Sequence, residues 1–244
     1  MQIIENTSLQ ELYNRQTEHF LKILDDLKIE ERPYTHFEST ELFTDEFYEY
    51  MKRIMPEKDE LLSLTEISKQ VKSLFKVSAS YSDKRLSFNI NDPIYGYKIM
   101  DQFLVYPTNR KKYVKLHEWF SNIFLPNLAK KFNVEMQNIT GNELMYINDV
   151  SGYELSPHTD IVSKIFSVLI YMPDDDSMSR CGTQMLVPST TKKHFNVAKT
   201  AKFIPKNTFA FVRSEKSWHS VSKIESEYPR KLLLFTAVNK NLVF

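Results

Sequence analysis

The chain is poor in cysteine and glycine. Among its 244 residues Cys181 is the only cysteine, and only four residues are glycine. A single thiol forms no disulfide within the chain and no multi-cysteine zinc site, so a reducing, cytoplasmic location is expected. Four glycines do not supply the Gly-rich phosphate loops of the Walker or dinucleotide type. An excess of charge of one sign is also lacking. Lys and Arg total 32 against 31 Asp and Glu, a formal net charge of +1, which leaves no electrostatic footprint for nucleic acid or an anionic membrane. The basic clusters Arg110-Lys111-Lys112 and Lys192-Lys193 read as solvated loop charge. No apolar run approaches the roughly 20 residues of a membrane span. The first residues, Met-Gln-Ile-Ile-Glu-Asn, have neither the basic nor the apolar region of a secretory signal.

Aromatics are plentiful: 17 Phe, 13 Tyr and 2 Trp, a stock suited to a β-rich core or an aromatic-lined pocket. Apolar residues make up 42% and charged residues 26%, ordinary for a globular protein. Ser8-Leu9-Gln10-Glu11 reads as a capping box. Leu12, Phe20, Ile23, Leu24 and Leu27 follow at helical spacing and predict a helix over 8–29, with His19 as packing. After Arg32-Pro33-Tyr34 a short strand is expected over 34–38. Thr44 then caps a second helix carrying Phe47, Met51 and Ile54 on one face, with Pro56 past its end. A helix over 64–75 and strands over 87–90 and 97–106 come next. Val114, Trp119, Phe120, Ile123, Phe124, Leu128 and Phe132 form an apolar stripe that predicts a helix over 111–132, kinked at Pro126 and packed on a sheet.

Beyond Asn133 the texture changes to short strand-like runs separated by turn residues: 143–148, 153–158, 166–172, 184–187, 202–204, 209–212, 219–221 and 231–238. Eight strands in two facing sheets is the jelly-roll count. The expected fold is therefore mainly β with flanking helices (α+β), a double-stranded β-helix buttressed by the helices of the first half.

The chemistry concentrates in Tyr153–Pro173, around His158-Thr159-Asp160. On an extended chain residues i and i+2 point the same way, so this triplet aims an imidazole and a carboxylate into one space. Those are two thirds of a facial two-His-one-carboxylate site for non-haem Fe(II). His219 opens a later strand beside Trp218 and supplies the third ligand, with His194 as its rival. Arg230 opens the last long strand. A planar guanidinium grips a carboxylate bidentately, so metal and arginine together describe a site for a dicarboxylic keto acid. Tyr146, Tyr153 and Trp218 flank the ligand strands and are expected to line the pocket. Lys164 reads as a loop lysine, with substrate contact as the alternative.

With these parts in place the chain resembles the Fe(II)/2-oxoglutarate-dependent oxygenase superfamily, in particular its prolyl-hydroxylase-like branch. The resemblance is carried by Pro157-His158-Thr159-Asp160, Ile170-Tyr171-Met172-Pro173, Gly182-Thr183, His219, Arg230 and the entry Pro33-Tyr34-Thr35-His36-Phe37. It spans 33–244, with the jelly-roll core over about 143–240, and leaves 1–32 as an added helical extension. It implies His158, Asp160 and His219 as iron ligands and Arg230 as partner of the distal 2-oxoglutarate carboxylate. It adds Tyr171 as a hydroxyl on the same carboxylate and Asn148 as a further co-substrate contact. Many relatives carry a hydroxyl residue two or four places after the arginine; here Leu232 and Leu234 stand there.

The implied activity is a dioxygenase. It would couple decarboxylation of 2-oxoglutarate by O2, giving succinate and CO2, to hydroxylation of an unactivated C–H bond, with ascorbate as a candidate reductant. The near-neutral charge favours a small, amino-acid-like substrate over nucleic acid, and a monomer or homodimer is expected. The alternatives are a peptidyl (prolyl-type) hydroxylase, a cupin-like metal-binding isomerase or binding module, a zinc hydrolase on the same three ligands, and a metal-free adaptor.

Overall fold

The computed structural model describes residues 8–55, 62–63, 85–89, 110–189 and 194–242. The helix expected over 64–75, the strand over 97–106, Pro56 and Lys192-Lys193 lie outside these. Helix α1 (Leu9–Asp26) opens with the expected capping box: Ser8 Oγ accepts from the Glu11 N–H, and the Glu11 carboxylate accepts from the Ser8 N–H. It stops three residues early, because Leu27 is already extended. Strand β1 is His36–Ser39, and α2 (Asp45–Arg53) is capped by Thr44 as predicted.

The predicted helix over 111–132 is instead three segments: α3 (Arg110–Trp119), a π-helical stretch (Phe120–Phe124) and α4 (Leu125–Lys131). Pro126 has no N–H to donate and its ring crowds the preceding turn. The wider turn accommodates this, with Leu125 N–H reaching back to Phe120 O. The extra residue in that turn changes the helical phase. Val114, placed on the apolar stripe by uniform 3.6-residue spacing, is therefore 51% exposed, while Tyr113 and Leu116 are buried.

The described strands form two antiparallel sheets. β2 is Leu62–Ser63, β3 Arg85–Asn89, β4 Gly141–Asp149, β5 Leu155–His158, β6 Lys164–Tyr171 and β7 Gln184–Pro188. β8 is Phe195–Thr200, β9 Thr208–Val212, β10 His219–Val221 and β11 Arg230–Val238. The large sheet runs β1-β9-β6-β11-β4-β3-β2 and the small one β5-β10-β7-β8. The strand expected over 202–204 is an extended link bonded to loops, through Phe203 N–H to Ser179 O. The strand lies just before it, at β8. Among the described strands it pairs only with β7, and it is largely exposed, so it carries no apolar alternation to mark it.

Side chains alternate across the large sheet. One face meets the helices: Tyr146, Phe166, Val168, Ile170, Leu233 and Phe235 share a core with Phe20, Phe47, Trp119 and Phe124. The rings stack closely, with Phe120 and Phe235 centroids 5.5 Å apart and Phe20 and Phe124 5.0 Å apart. Leu12 and Phe20 of α1 belong to this same core. The other face carries Ile147, Tyr171, Phe209, Phe211 and Leu232, clustered with Met185 and Val221 of the small sheet. The functional chemistry sits on this inner face. Phe235→Ala removes a ring from the helix-facing core and is expected to cost about 3–5 kcal/mol, read as a lower denaturant midpoint.

Candidate metal centre

Two neighbouring strands of the small sheet bring the histidines together. β10 pairs antiparallel with β5, and His219 stands directly opposite His158. Their ring centroids are 4.2 Å apart. β5 ends at His158, so Asp160 reaches the site from the link to β6 rather than from a continuous strand. One ligand atom from each of His158, Asp160 and His219 lies within 4.8 Å of the others. Asp160 and His219 are buried, and His158 is partly so.

The backbone orients both imidazoles. His158 Nδ1 lies 2.9 Å from Ser156 O, and His219 Nδ1 lies 2.9 Å from Ser217 O. A carbonyl only accepts, so each Nδ1 carries the proton and donates it. Each Nε2 then presents its lone pair. Burial pushes the His219 pKa down to about 4, and the neighbouring Asp160 carboxylate offsets this only in part. The imidazole is therefore neutral at pH 7, as ligation requires. Burial alone raises the Asp160 pKa, but the Lys164 ammonium, His219 and hydrogen bonds from Lys164 and Ser167 outweigh it and hold the carboxyl below its ordinary value. Lys164 Nζ lies 2.8 Å from Asp160 Oδ1, and Ser167 Oγ donates to Oδ2 at 3.0 Å. Arg213 Nε donates to the Asp160 backbone carbonyl at 3.1 Å. Two imidazoles that present Nε2 and one ionised, oriented carboxylate fit a divalent metal with a facial site.

A second polar group lies on the same inner face. Arg230, fully buried at the start of β11, stands opposite Asp149 of β4 in register. Its Nη1 donates to Asp149 Oδ2 at 2.7 Å, Nε to Cys181 O at 2.8 Å and Nη2 to Thr183 Oγ1 at 3.3 Å. Tyr171, also fully buried, donates its hydroxyl to Thr183 Oγ1 and accepts from the Thr183 N–H, both at 3.0 Å. Gly182 allows this: a Cβ there would lie 1.7 Å from Ala201 O. An aromatic ring packs on each group. Phe211 lies 4.7 Å from the His219 ring, and Phe203 5.1 Å from Tyr171.

The structure brings His158, Asp160 and His219 into one cluster and joins Arg230 to Tyr171 through Thr183. Tyr153 falls in the inner apolar cluster with Tyr171 and Phe211. Tyr146 and Asn148 do not face this space. They alternate with Ile147 and Asp149 along an unbroken register, and the Tyr146 hydroxyl donates to Met51 O of α2 at 2.8 Å. Trp218 precedes His219 and packs on Phe195 of β8, 4.7 Å away. Lys164 is an ion-pair partner of Asp160 rather than a plain loop lysine. His194 is exposed and outside the cluster. Sequence reasoning passed over Asp149 and Ser167. The signal for Asp149 was its phase: it shares a face with Ile147 on the strand that pairs with Arg230.

No family model matches the chain, and no curated protein matches it in sequence. Solved structures do. The dioxygenase for auxin oxidation of rice is 13% identical with a TM-score of 0.51, over 92% of this chain and 79% of that one. A prolyl 4-hydroxylase of Phytophthora capsici is 10% identical at a TM-score of 0.48, over 97% of this chain and 68% of that one. The Pseudomonas putida prolyl-4-hydroxylase is 8% identical at 0.47, over 91% and 99%. The likeness to the rice protein shows a shared fold, and the expected α+β class with a jelly-roll core stands. Among the described residues no helix is long and apolar enough to cross a membrane.

Ser167→Ala removes a hydrogen bond that orients Asp160. It is expected to weaken Mn(II) binding by roughly 10-fold, measured by calorimetric titration, while His219→Ala abolishes it.

Proposed function

We propose that the chain is a non-haem Fe(II) dioxygenase that uses a 2-oxo acid of the 2-oxoglutarate type to hydroxylate an unactivated C–H bond of a small, amino-acid-like molecule. The observation that carries the proposal is the His158–Asp160–His219 cluster with both Nε2 lone pairs preset. The jelly-roll fold shared with the rice dioxygenase supports it. When bound, Fe(II) supplies the redox chemistry with O2, and the oxo acid supplies two electrons and leaves as CO2 and a shortened carboxylic acid.

The protein's own residues bind, orient and exclude. His158, Asp160 and His219 would hold the metal. Ser167 and Lys164 hold the Asp160 carboxylate in place. Phe211 packs on His219 and would shield the buried side of the site from water. Arg230 and Thr183 mark the polar end of the inner face, where the far end of the oxo acid would lie. The preference for a small substrate rests on the net charge of +1, which offers no attraction for an anionic polymer.

The test is Fe(II)-dependent O2 uptake with CO2 release from added 2-oxo acid, screened with amino acids as prime substrates. Native protein is expected to couple the two, and Asp160→Ala to fall to background. Activity with Zn(II) in the absence of O2 would instead make the protein a hydrolase. Metal binding with no oxo-acid binding would make it a binding module.

A further inference from the structure

Lys164 opens β6, four residues after Asp160. Its Nζ lies 2.8 Å from Asp160 Oδ1, and its side chain is 25% exposed. An ammonium has three N–H donors. The contact with Asp160 uses one, and a ligand from solvent can meet the exposed side of the group. The charges around Asp160 are matched unevenly. Arg213, which donates to the Asp160 carbonyl, has its own counter-ion in Glu215, 2.6 Å from Nη2. The carboxylate that Lys164 pairs with is the one a metal at the cluster would claim. A divalent ion more than cancels that single negative charge, so in the loaded protein Lys164 would stand without a counter-charge at the edge of the site.

The turn between these two residues is unusual in what it exposes. Ile161 is 67% and Val162 40% exposed, and they are the only sequence neighbours among the described large hydrophobic residues that lie open to solvent. Scattered apolar residues on a surface are ordinary, but this pair sits on a turn that is pinned along its backbone. Lys164 N–H donates to Ile161 O at 3.1 Å, Asn239 N–H to Ser163 O at 2.7 Å and Arg213 Nε to Asp160 O at 3.1 Å. Two branched aliphatic side chains are thus held in water between a metal ligand and an ammonium.

We infer that this turn is the docking edge for the primary substrate, an apolar carboxylic acid whose carboxylate goes to Lys164 and whose hydrocarbon part lies on Ile161 and Val162. The inference rests on the reading of the cluster as an oxo-acid-dependent metal centre, and it narrows the amino-acid-like substrate to one with an apolar side group. Charge and apolar surface both fall within Asp160–Lys164, so the molecule they recognise together is small. An acid and its amide share shape and differ in charge, which isolates the part played by Lys164.

The experiment is proton NMR on the full chain loaded with Mn(II) and saturated with 2-oxoglutarate under argon. Binding of isocaproate and of isocaproamide is followed by the paramagnetic relaxation of their protons. Native protein is expected to bind the acid about fivefold more tightly than the amide. Lys164→Gln is expected to bind the two alike, and Lys164→Arg to keep the preference. Comparing acid with amide within each variant cancels any change in Mn(II) affinity caused by the loss of a partner for Asp160. The double variant Ile161→Ser, Val162→Ser is expected to bind isocaproate about fivefold more weakly and acetate unchanged. An acid preference that survives Lys164→Gln would put the carboxylate on the metal itself and overturn the inference. Equal binding of acid and amide by native protein, no relaxation of either, or isocaproate binding untouched by the double variant overturns it as well, while 2-oxoglutarate binding in a parallel calorimetric titration leaves the oxo-acid reading intact. Should Lys164→Gln fail to load Mn(II), the native comparison and the double variant decide. Failure of 2-oxoglutarate to bind the metal-loaded native protein overturns both the inference and the reading beneath it.

Discussion

One backbone register underlies the site. β10 lies antiparallel to β5 with His219 opposite His158, and a directly opposed pair points to the same face of a sheet. The hydrogen-bonded ladder thus sets the separation of the two imidazoles before any side chain chooses a rotamer. A slip of one residue would turn one ring to the opposite face and dissolve the cluster. Asp160 needs no strand of its own, because it follows His158 by two residues and is captured by Lys164 and Ser167 from β6. The small sheet places the two histidines and the large sheet steadies the aspartate.

The large sheet separates structural burial from chemical burial by its pleat. Its helix-facing side is densely packed, largely with aromatic rings. Its inner side carries Arg230, Asp149 and Ser167 among Phe209, Phe211 and Tyr171. Buried charges are costly unless paired and hydrogen-bonded, and here each one is: Asp160 by Lys164, Arg230 by Asp149. The helices that complete the outer core are also tied to the large sheet by polar contacts, such as Tyr48 Oη donating to Tyr171 O.

Much of this was legible in the sequence, for local physical reasons. His158 and Asp160 are near neighbours, and the β texture after Asn133 implied the sandwich that returns His219 to them. The inner and outer faces of β4 were not legible. That strand is buried on both sides along much of its length, which erases the alternation that would have phased Tyr146 and Asn148 outward and Asp149 inward. β8 was missed for the opposite reason, since an exposed edge strand has no apolar signature. The partner of Arg230 lies far away in the chain, so the sequence suggested a guanidinium awaiting a ligand where the structure has an ion pair. Lys164, unexplained as a residue between two strands, acquires its role only once the link folds it back on Asp160.

The central claim is that His158, Asp160 and His219 form a metal centre with one open side. A crystal structure of the protein grown with Mn(II), with the ion located by anomalous scattering, tests this most directly. A single ion is expected, bound through Nε2 of His158, Nε2 of His219 and a carboxylate oxygen of Asp160, with its other positions taken by solvent. An ion bound elsewhere, ligation through Nδ1, or no ion at the cluster would contradict it.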